Sequence, residues 1–444
     1  MWGFFFVNLK KLKMDLYNLF EQCNYNYSTD SRKISEGCIY IPLKGANFNG
    51  NDFVIKAIHM GAAYALTENI ELVDNVKVFF VHDGLEALQD IARIHIQKLK
   101  PKTIAITGSN GKTTTKELIH SIFSNFTKDV IATEGNLNNH IGVPVTILRL
   151  RPHHKFAIIE MGANHQGEIK SLCEIANPDF GVITSIGKAH LEGFGGEEGV
   201  IKAKMELFDF LQYHKGVCFY NLNDATIASM YFDDSRNICI GNDSSQYKGV
   251  YSQLVPDLKF KLLFGADSIE IESPLFGIHN FYNALLAASI AQYFEIPNEL
   301  IQKGIKEYIP KNMRSEFLQR GESTILLDAY NANPSSMRLA IESFSQMEGE
   351  SKYLVLGGMA ELGKYERDEH NSLIQFVQDL GFQDKVILVG PQFKECNVPK
   401  SFLYFMRVDD MMSWFDTNIE NKSVSVLIKG SRSIQLEKLI YRSI

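Results

Sequence analysis

The apolar positions of this chain fall into short runs that end in polar residues, with helix-period segments between them. Cys38–Pro42 and Val76–Val81 are rich in β-branched and aromatic residues and predict strands. Leu16–Phe20, following Met14 and Asp15, predicts an opening helix, and Ala57–Ala65 and Leu85–Lys98 predict two more. Pro101 marks a boundary. Beyond it, Thr103–Ile106, Phe156–Ile159, Gly181–Ile186 and Val217–Tyr220 are strand-like runs. They lead into Thr107-Gly108, Glu160, Lys188 with His190, and Asn223-Asp224 respectively. Helical segments lie between several of them, the alternation of a mainly parallel α/β sheet. Such a sheet takes its ligand at the carboxyl ends of the strands, which is where these polar residues stand. A long helix is predicted over Asn280–Phe294, and a second boundary near Pro310-Lys311-Asn312. Thr324–Leu327, Tyr353–Leu356, Val386–Val389 and Val424–Ile428 then alternate with helical segments as a smaller α/β domain. The expected division is 14–100, 101–310 and 311–444.

Composition narrows the function without changing this outline. The 444 residues supply about three domains at roughly 150 residues each. With 45 basic against 52 acidic side chains the net charge is −7, which argues against sequence-independent nucleic-acid binding. A hydrophobic fraction of 45% argues against disorder. No apolar run approaches the ~20 residues of a membrane span, and Phe4–Val7 precedes its lysines instead of following them as in a secretory signal. Six cysteines with no C-x-x-C pair suggest neither a zinc ribbon nor a disulfide framework, so a cytoplasmic setting is expected. Residues 1–13 read equally as a poorly ordered tail or as a stretch upstream of a start at Met14.

The strongest local motif is Gly108-Ser109-Asn110-Gly111-Lys112-Thr113-Thr114, between a strand and the helix predicted over Thr115–Ser124. Glycines let the backbone turn several N–H groups toward one anion, and the helix start adds positive dipole. Lys112 supplies a point charge for phosphates, and the Thr113 hydroxyl suits Mg²⁺. Glu160, at a strand end, is a natural partner for the same ion. Asn280 and Asn283 share a helix face, where amides can read adenine's edge; capping of the helix by Asn280 is the rival reading. A nucleotide-dependent switch is the alternative from another class. It would want an Asn-Lys-x-Asp base reader, and Asn221-Leu222-Asn223-Asp224 has leucine in place of the lysine.

Only two residues separate the glycines of the phosphate loop, against four in the general motif. With Thr114 following, this short form resembles the Mur ligase and folylpolyglutamate synthase superfamily, enzymes that join a carboxylate to an amine using ATP. The resemblance implies an ATP substrate with Mg²⁺ on Thr113 and Glu160, and a second metal at His190. It also implies a carbamate on Lys204, which lies fourteen residues later in Ala203-Lys204-Met205-Glu206. Lys202 should face away from it. Asn280 and Asn283 would read adenine. Arg314 would reach the γ-phosphate when the last domain closes. Asp328, ending the first strand of that domain, would contact ribose, with Tyr330 beside it at the nucleotide. The catalytic set is Lys112, His190, Lys204 and Arg314.

The last third narrows the branch. Asp328-Ala329-Tyr330-Asn331-Ala332-Asn333-Pro334, Gly357–Gly363, Glu369-His370 and Lys429-Gly430-Ser431-Arg432-Ser433 with Glu437 resemble the members that add D-alanyl-D-alanine to UDP-N-acetylmuramoyl-tripeptide. Asn331 and Asn333 would serve that chemistry. Thr29-Asp30-Ser31-Arg32, with Gly45 and Phe48-Asn49-Gly50, resembles a UDP-sugar-binding end, with Ser31 and Arg32 as contacts. The implied fold is an N-terminal mixed α/β UDP-binding domain, a central P-loop-type ATPase sheet and a C-terminal Rossmann-like domain. The implied partners are these two small molecules; composition adds the expectation of no nucleic acid and no membrane insertion, and a monomer is expected although no residue pattern fixes the oligomeric state. Gly358 departs from the pattern, standing where an acidic residue is usual, and Asn223-Asp224 is a reduced form of an Asn-x-Asp-Asp run.

Overall fold

The computed structural model describes residues 13–74, 76–231, 234–241, 245–349, 351–419 and 422–441; residues 1–12 of the N-terminal stretch lie outside them. Three main sheets follow one another along the chain. The first is parallel, in the order Tyr27–Ser28, Ile39–Tyr40, Tyr64–Thr67, Val78–Phe80. The helix expected over Ala57–Ala65 is shorter and earlier, Val54–His59. Gly61 adopts φ +108 and ends it, and the apolar residues beyond become the Tyr64–Thr67 strand. Gly84–Leu99 forms as expected, with the Asp83 side chain accepting from Glu86 N at its start.

The central sheet has nine strands. Val130–Ala132, Phe156–Glu160, Lys102–Thr107, Phe180–Ile183, Val217–Asn221, Ile238–Gly241 and Tyr247–Gln253 run parallel in that spatial order. Ile104, Ala105, Ile106, Ala157, Ile158 and Ile159 have no exposed surface, as strands covered on both faces require. Leu258–Phe264 and Asp267–Ser273 extend the sheet antiparallel. The strand reading above did not include them, although Leu258, Phe260 and Leu262, then Ile269 and Ile271, alternate to bury one face. Lys102–Thr107 lies between strands reached in opposite directions, so the loop after it opens at the switch point of the sheet.

The third sheet runs Glu316–Arg320, Ser323–Asp328, Ser425–Lys429, Lys352–Gly357, Val386–Val389, Leu403–Phe405. All pairs but the first are parallel. Asp328 therefore ends the second strand of this unit, after an antiparallel edge strand.

The junctions are specific. Between the first and central units, Tyr27 Oη donates to Val145 O (3.0 Å), and Arg151 Nη2 to Tyr25 O (3.1 Å). His95, buried, lies 3.1 Å from both Tyr17 Oη and Leu150 O through its two ring nitrogens. Between the central and last units, Asn333 Nδ2 donates to Asn110 Oδ1 (2.8 Å), Lys188 N to Ser335 Oγ (3.0 Å) and Lys188 Nζ to Glu369 Oε1 (2.6 Å). The last unit thus rests on the phosphate loop itself. No helix among the described residues is long and apolar enough to cross a membrane.

Candidate active site

A cavity of about 2130 Å³ opens where these two units meet. Its floor is the loop Ser109–Thr114, which leads into the helix Lys112–Phe126. Gly108 and Gly111 hold φ +146 and +83, and a Cβ on Gly111 would collide with Asn283 Oδ1. The loop and the helix Ile278–Tyr293 can approach this closely only with glycine there. The loop is pinned from behind: Ser109 N donates to Ser185 O (2.8 Å), and Ser109 Oγ donates to Gly187 O (2.9 Å). Lys112 Nζ folds back onto Gly108 O (2.7 Å) and Ser109 O (3.3 Å). Burial, reinforced by Arg314 and opposed by Glu160, holds this ammonium below its ordinary pKa.

Glu160 is 1% exposed. Its Oε1 accepts from Thr113 Oγ1 (3.2 Å) and Asn138 Nδ2 (2.7 Å), and its backbone N donates to Thr133 Oγ1 (3.0 Å). Its Oε2 is buried without a hydrogen-bond partner. An orphaned carboxylate oxygen beside a hydroxyl is a hard-oxygen donor set that fits Mg²⁺. Among the described residues no group of three or more His, Cys, Asp or Glu could hold a metal ion. Asn138 was absent from the sequence reading. Its signal was the asparagine-rich segment Gly135–Asn139 after the Val130–Ala132 strand, which nothing local tied to Glu160. The same segment is anchored by Lys116, fully buried, whose Nζ donates to Thr133 O (2.6 Å).

His190 lines the cavity at φ +51, and its Nδ1 pairs with Glu361 of the last unit. Lys204 does not line it. That side chain is 1% exposed on the helix Glu197–Tyr213, with Nζ 5.2 Å from the centre of the Phe194 ring. Burial, with Lys112 nearby, lowers its pKa to about 7. Lys202 faces solvent, as the helical spacing required.

On the wall formed by the helix Ile278–Tyr293, Asn280 and Asn283 are 2% and 5% exposed and both line the cavity. Their amides meet each other, Asn283 Nδ2 to Asn280 Oδ1 (3.1 Å), and Thr115 Oγ1 donates to Asn283 Oδ1 (3.2 Å). The helix begins at Ile278 with Gly277 at the cap, so Asn280 does not cap it. His279 reaches the same wall with Nδ1 buried and unpartnered, and burial lowers its pKa to about 4.

The last unit supplies the roof. The Arg314 guanidinium lies over the Tyr330 ring, 3.7 Å from its centre. Burial would raise the Asp328 carboxyl, but Lys429 at 2.5 Å wins and holds it below the usual range. Its Oδ1 accepts from Ser315 N (3.1 Å). Asn331 and Asn333 line the cavity; Asn333 also caps the helix Pro334–Ser345. Ser31 and Arg32 stand apart from the cavity, and Arg32 is spent on a bidentate pair with Asp30 at 2.9 Å. At Gly358, where a side chain would collide, Gln392 fills the space with its Oε1 buried and unpartnered.

Residues 25–100 match the model of the Mur ligase family catalytic domain, 106–291 the Mur ligase middle domain, and 313–432 the Mur ligase glutamate ligase domain. The UDP-N-acetylmuramoyl-tripeptide–D-alanyl-D-alanine ligase of Bacillus subtilis is 33% identical over 427 residues, 94% of this chain and 92% of its own length. That of Escherichia coli is 33% identical over 424 residues, 93% and 92%. The crystal structure of MurF from Acinetobacter baumannii superposes with TM-score 0.85 at 31% identity, covering 94% of this chain and 92% of its own.

Proposed function

Because the chain belongs to the Mur ligase family, we propose that it joins D-alanyl-D-alanine to UDP-N-acetylmuramoyl-tripeptide using ATP, the ligation its Bacillus subtilis and Escherichia coli relatives are named for. It is an amide-bond-forming ligase of peptidoglycan synthesis. The observation that carries the chemistry is a phosphate loop and an orphaned carboxylate oxygen in one cavity roofed by a separate unit. The working units are 14–100 for the UDP-linked substrate, with Ser31 and Arg32 as contacts, 101–310 for ATP, and 311–444 as the closing domain.

ATP lays its phosphates on Gly108–Thr114, where backbone N–H groups and the helix start receive them. Lys112 exchanges two neutral carbonyls for phosphate oxygens, a gain enlarged by the low dielectric that depresses its pKa. Glu160 and Thr113 would hold a Mg²⁺ that neutralises phosphate charge when bound. Asn280 and Asn283 give up part of their mutual bonding to adenine, and Asp328 and Tyr330 stand by the sugar. The tripeptide carboxylate attacks the γ-phosphorus and ADP leaves, giving an acyl phosphate. Lys112 and Arg314 face the charge that develops. The dipeptide amine then attacks the acyl carbon, phosphate leaves and a proton is released. Asn331 and Asn333 present the closing domain to this second step. The need for ATP fits the cytoplasmic setting expected from the cysteine pattern.

Lys204 fits a carbamate. A lysine with a pKa lowered to about 7 is about half uncharged at neutral pH, and the neutral amine is the form that takes up CO₂. The carbamate's anionic oxygens would supply, with His190, donors for a second metal, a role a bare ammonium cannot fill. Phosphate release from ATP with UDP-N-acetylmuramoyl-tripeptide, with and without D-alanyl-D-alanine, tests the reading: turnover should require the dipeptide, and turnover indifferent to it rejects the assignment. Lys204→Ala should lose turnover and any response to bicarbonate; an unchanged rate removes the carbamate from the account.

A further inference from the structure

In the last sheet, Ser425–Lys429 lies between Ser323–Asp328 and Lys352–Gly357, all parallel, so their following loops leave from one edge. Two of these loops are pressed together. A Cβ on Gly430 would lie 2.7 Å from Gly357 Cα, and Ala360 N donates to Ser431 Oγ at 2.9 Å. Glu361 follows Ala360 and Arg432 follows Ser431. Opposite charges therefore flank one short contact, and both side chains line the cavity.

They are not spent on each other. Glu361 uses Oε2 on His190, while Oε1 carries no hydrogen bond and the side chain is 53% exposed. Arg432 uses Nη1 on Glu437 Oε1 (3.2 Å) and Met313 Sδ (2.9 Å), leaving Nε and Nη2 without partners. With glycine at 358, Glu361 is the sole acidic side chain between Gly358 and Gly363. An open carboxylate oxygen and an open guanidinium edge on adjacent loops complement a small zwitterion with its charges at opposite ends. The carboxylate is the member that touches His190, so the ammonium end would sit on the His190 side of the seat.

We propose that Glu361 and Arg432 form the seat of the amine substrate, a zwitterionic dipeptide, with Glu361 accepting from its ammonium and Arg432 taking its carboxylate. This rests on the ligase reading above. A guanidinium can hold a carboxylate through two parallel bonds, which an ammonium cannot. A seat built on that pairing rejects an analogue lacking the carboxylate by a wide margin.

The test is steady-state kinetics with D-alanyl-D-alanine and D-alanyl-D-alaninamide on the wild type, Arg432→Met, Arg432→Lys and Glu361→Gln. The wild type should prefer the acid by about 100-fold in kcat/KM. Arg432→Met should level that preference to a few-fold by raising KM for the acid, with KM for ATP unchanged, and Arg432→Lys should restore part of it. Glu361→Gln should raise KM for acid and amide alike, about tenfold. Arg432 is 57% exposed, so the folded state should survive these changes, with the melting temperature as the check. A wild-type preference retained by Arg432→Met overturns the carboxylate seat, and an unchanged dipeptide KM in Glu361→Gln overturns the ammonium seat. Absence of dipeptide-dependent turnover in the wild type overturns the ligase reading itself.

Discussion

Lys112→Ala should lower kcat by about 10³-fold or more and leave the protein as stable as before. The two consequences follow from one geometry. Lys112 Nζ bonds only to carbonyls of its own loop, Gly108 O and Ser109 O, so no distant element depends on it. Burial already depresses this ammonium, which means the folded protein works against its charge. Removing it therefore relieves a desolvation cost while deleting the one cation the loop itself can offer to a transferring phosphoryl group. Lys112→Arg should not rescue the rate, because a planar guanidinium cannot occupy the position of a point charge held between two carbonyls of one tight turn. Single-turnover rates and a thermal melt check both parts. A variant that loses activity and melts well below the wild type would assign Lys112 to the scaffold instead.

Glu160→Gln should lower kcat by about 10²-fold or more and weaken Mn²⁺ binding, read by electron paramagnetic resonance, about tenfold or more. The melting temperature should hold or rise. Glu160 is nearly fully buried, and one oxygen has no partner. A buried carboxylate in that condition is costly in the absence of a cation. The amide keeps an acceptor for Thr113 and Asn138 and drops the charge. Opposite signs on stability and on metal affinity would mark the residue as kept for function. If Glu160→Gln binds Mn²⁺ as tightly as the wild type, Glu160 is not the metal carboxylate.

The phosphate loop was legible because its whole signal is local. A continuous apolar strand, two glycines, Lys112 and a following helix lie within about 25 residues, and each element obeys its own propensity. The same holds for the Lys202 and Lys204 pair, where helical spacing alone separates the exposed side chain from the buried one. Reading failed where a single residue redirects the chain. Gly61 cuts the helix expected over Ala57–Ala65, and the Leu258–Phe264 and Asp267–Ser273 strands bury only one face, so their signal is a weak alternation instead of a continuous apolar run. It also missed partners brought from far along the chain. Asn138 is 22 residues from Glu160, and Glu361 is 171 residues from His190. Such pairings are set by strand order and domain docking, which no window of sequence contains.

In the proposed reaction ATP's γ-phosphate is captured by the tripeptide carboxylate before the dipeptide amine displaces it. Turnover of UDP-N-acetylmuramoyl-tripeptide carrying ¹⁸O in its terminal carboxylate, with ATP and D-alanyl-D-alanine, tests this most directly. Each inorganic phosphate released should carry one atom of that label, in step with one UDP-linked pentapeptide. Phosphate free of the label, released at the full rate, would contradict the account.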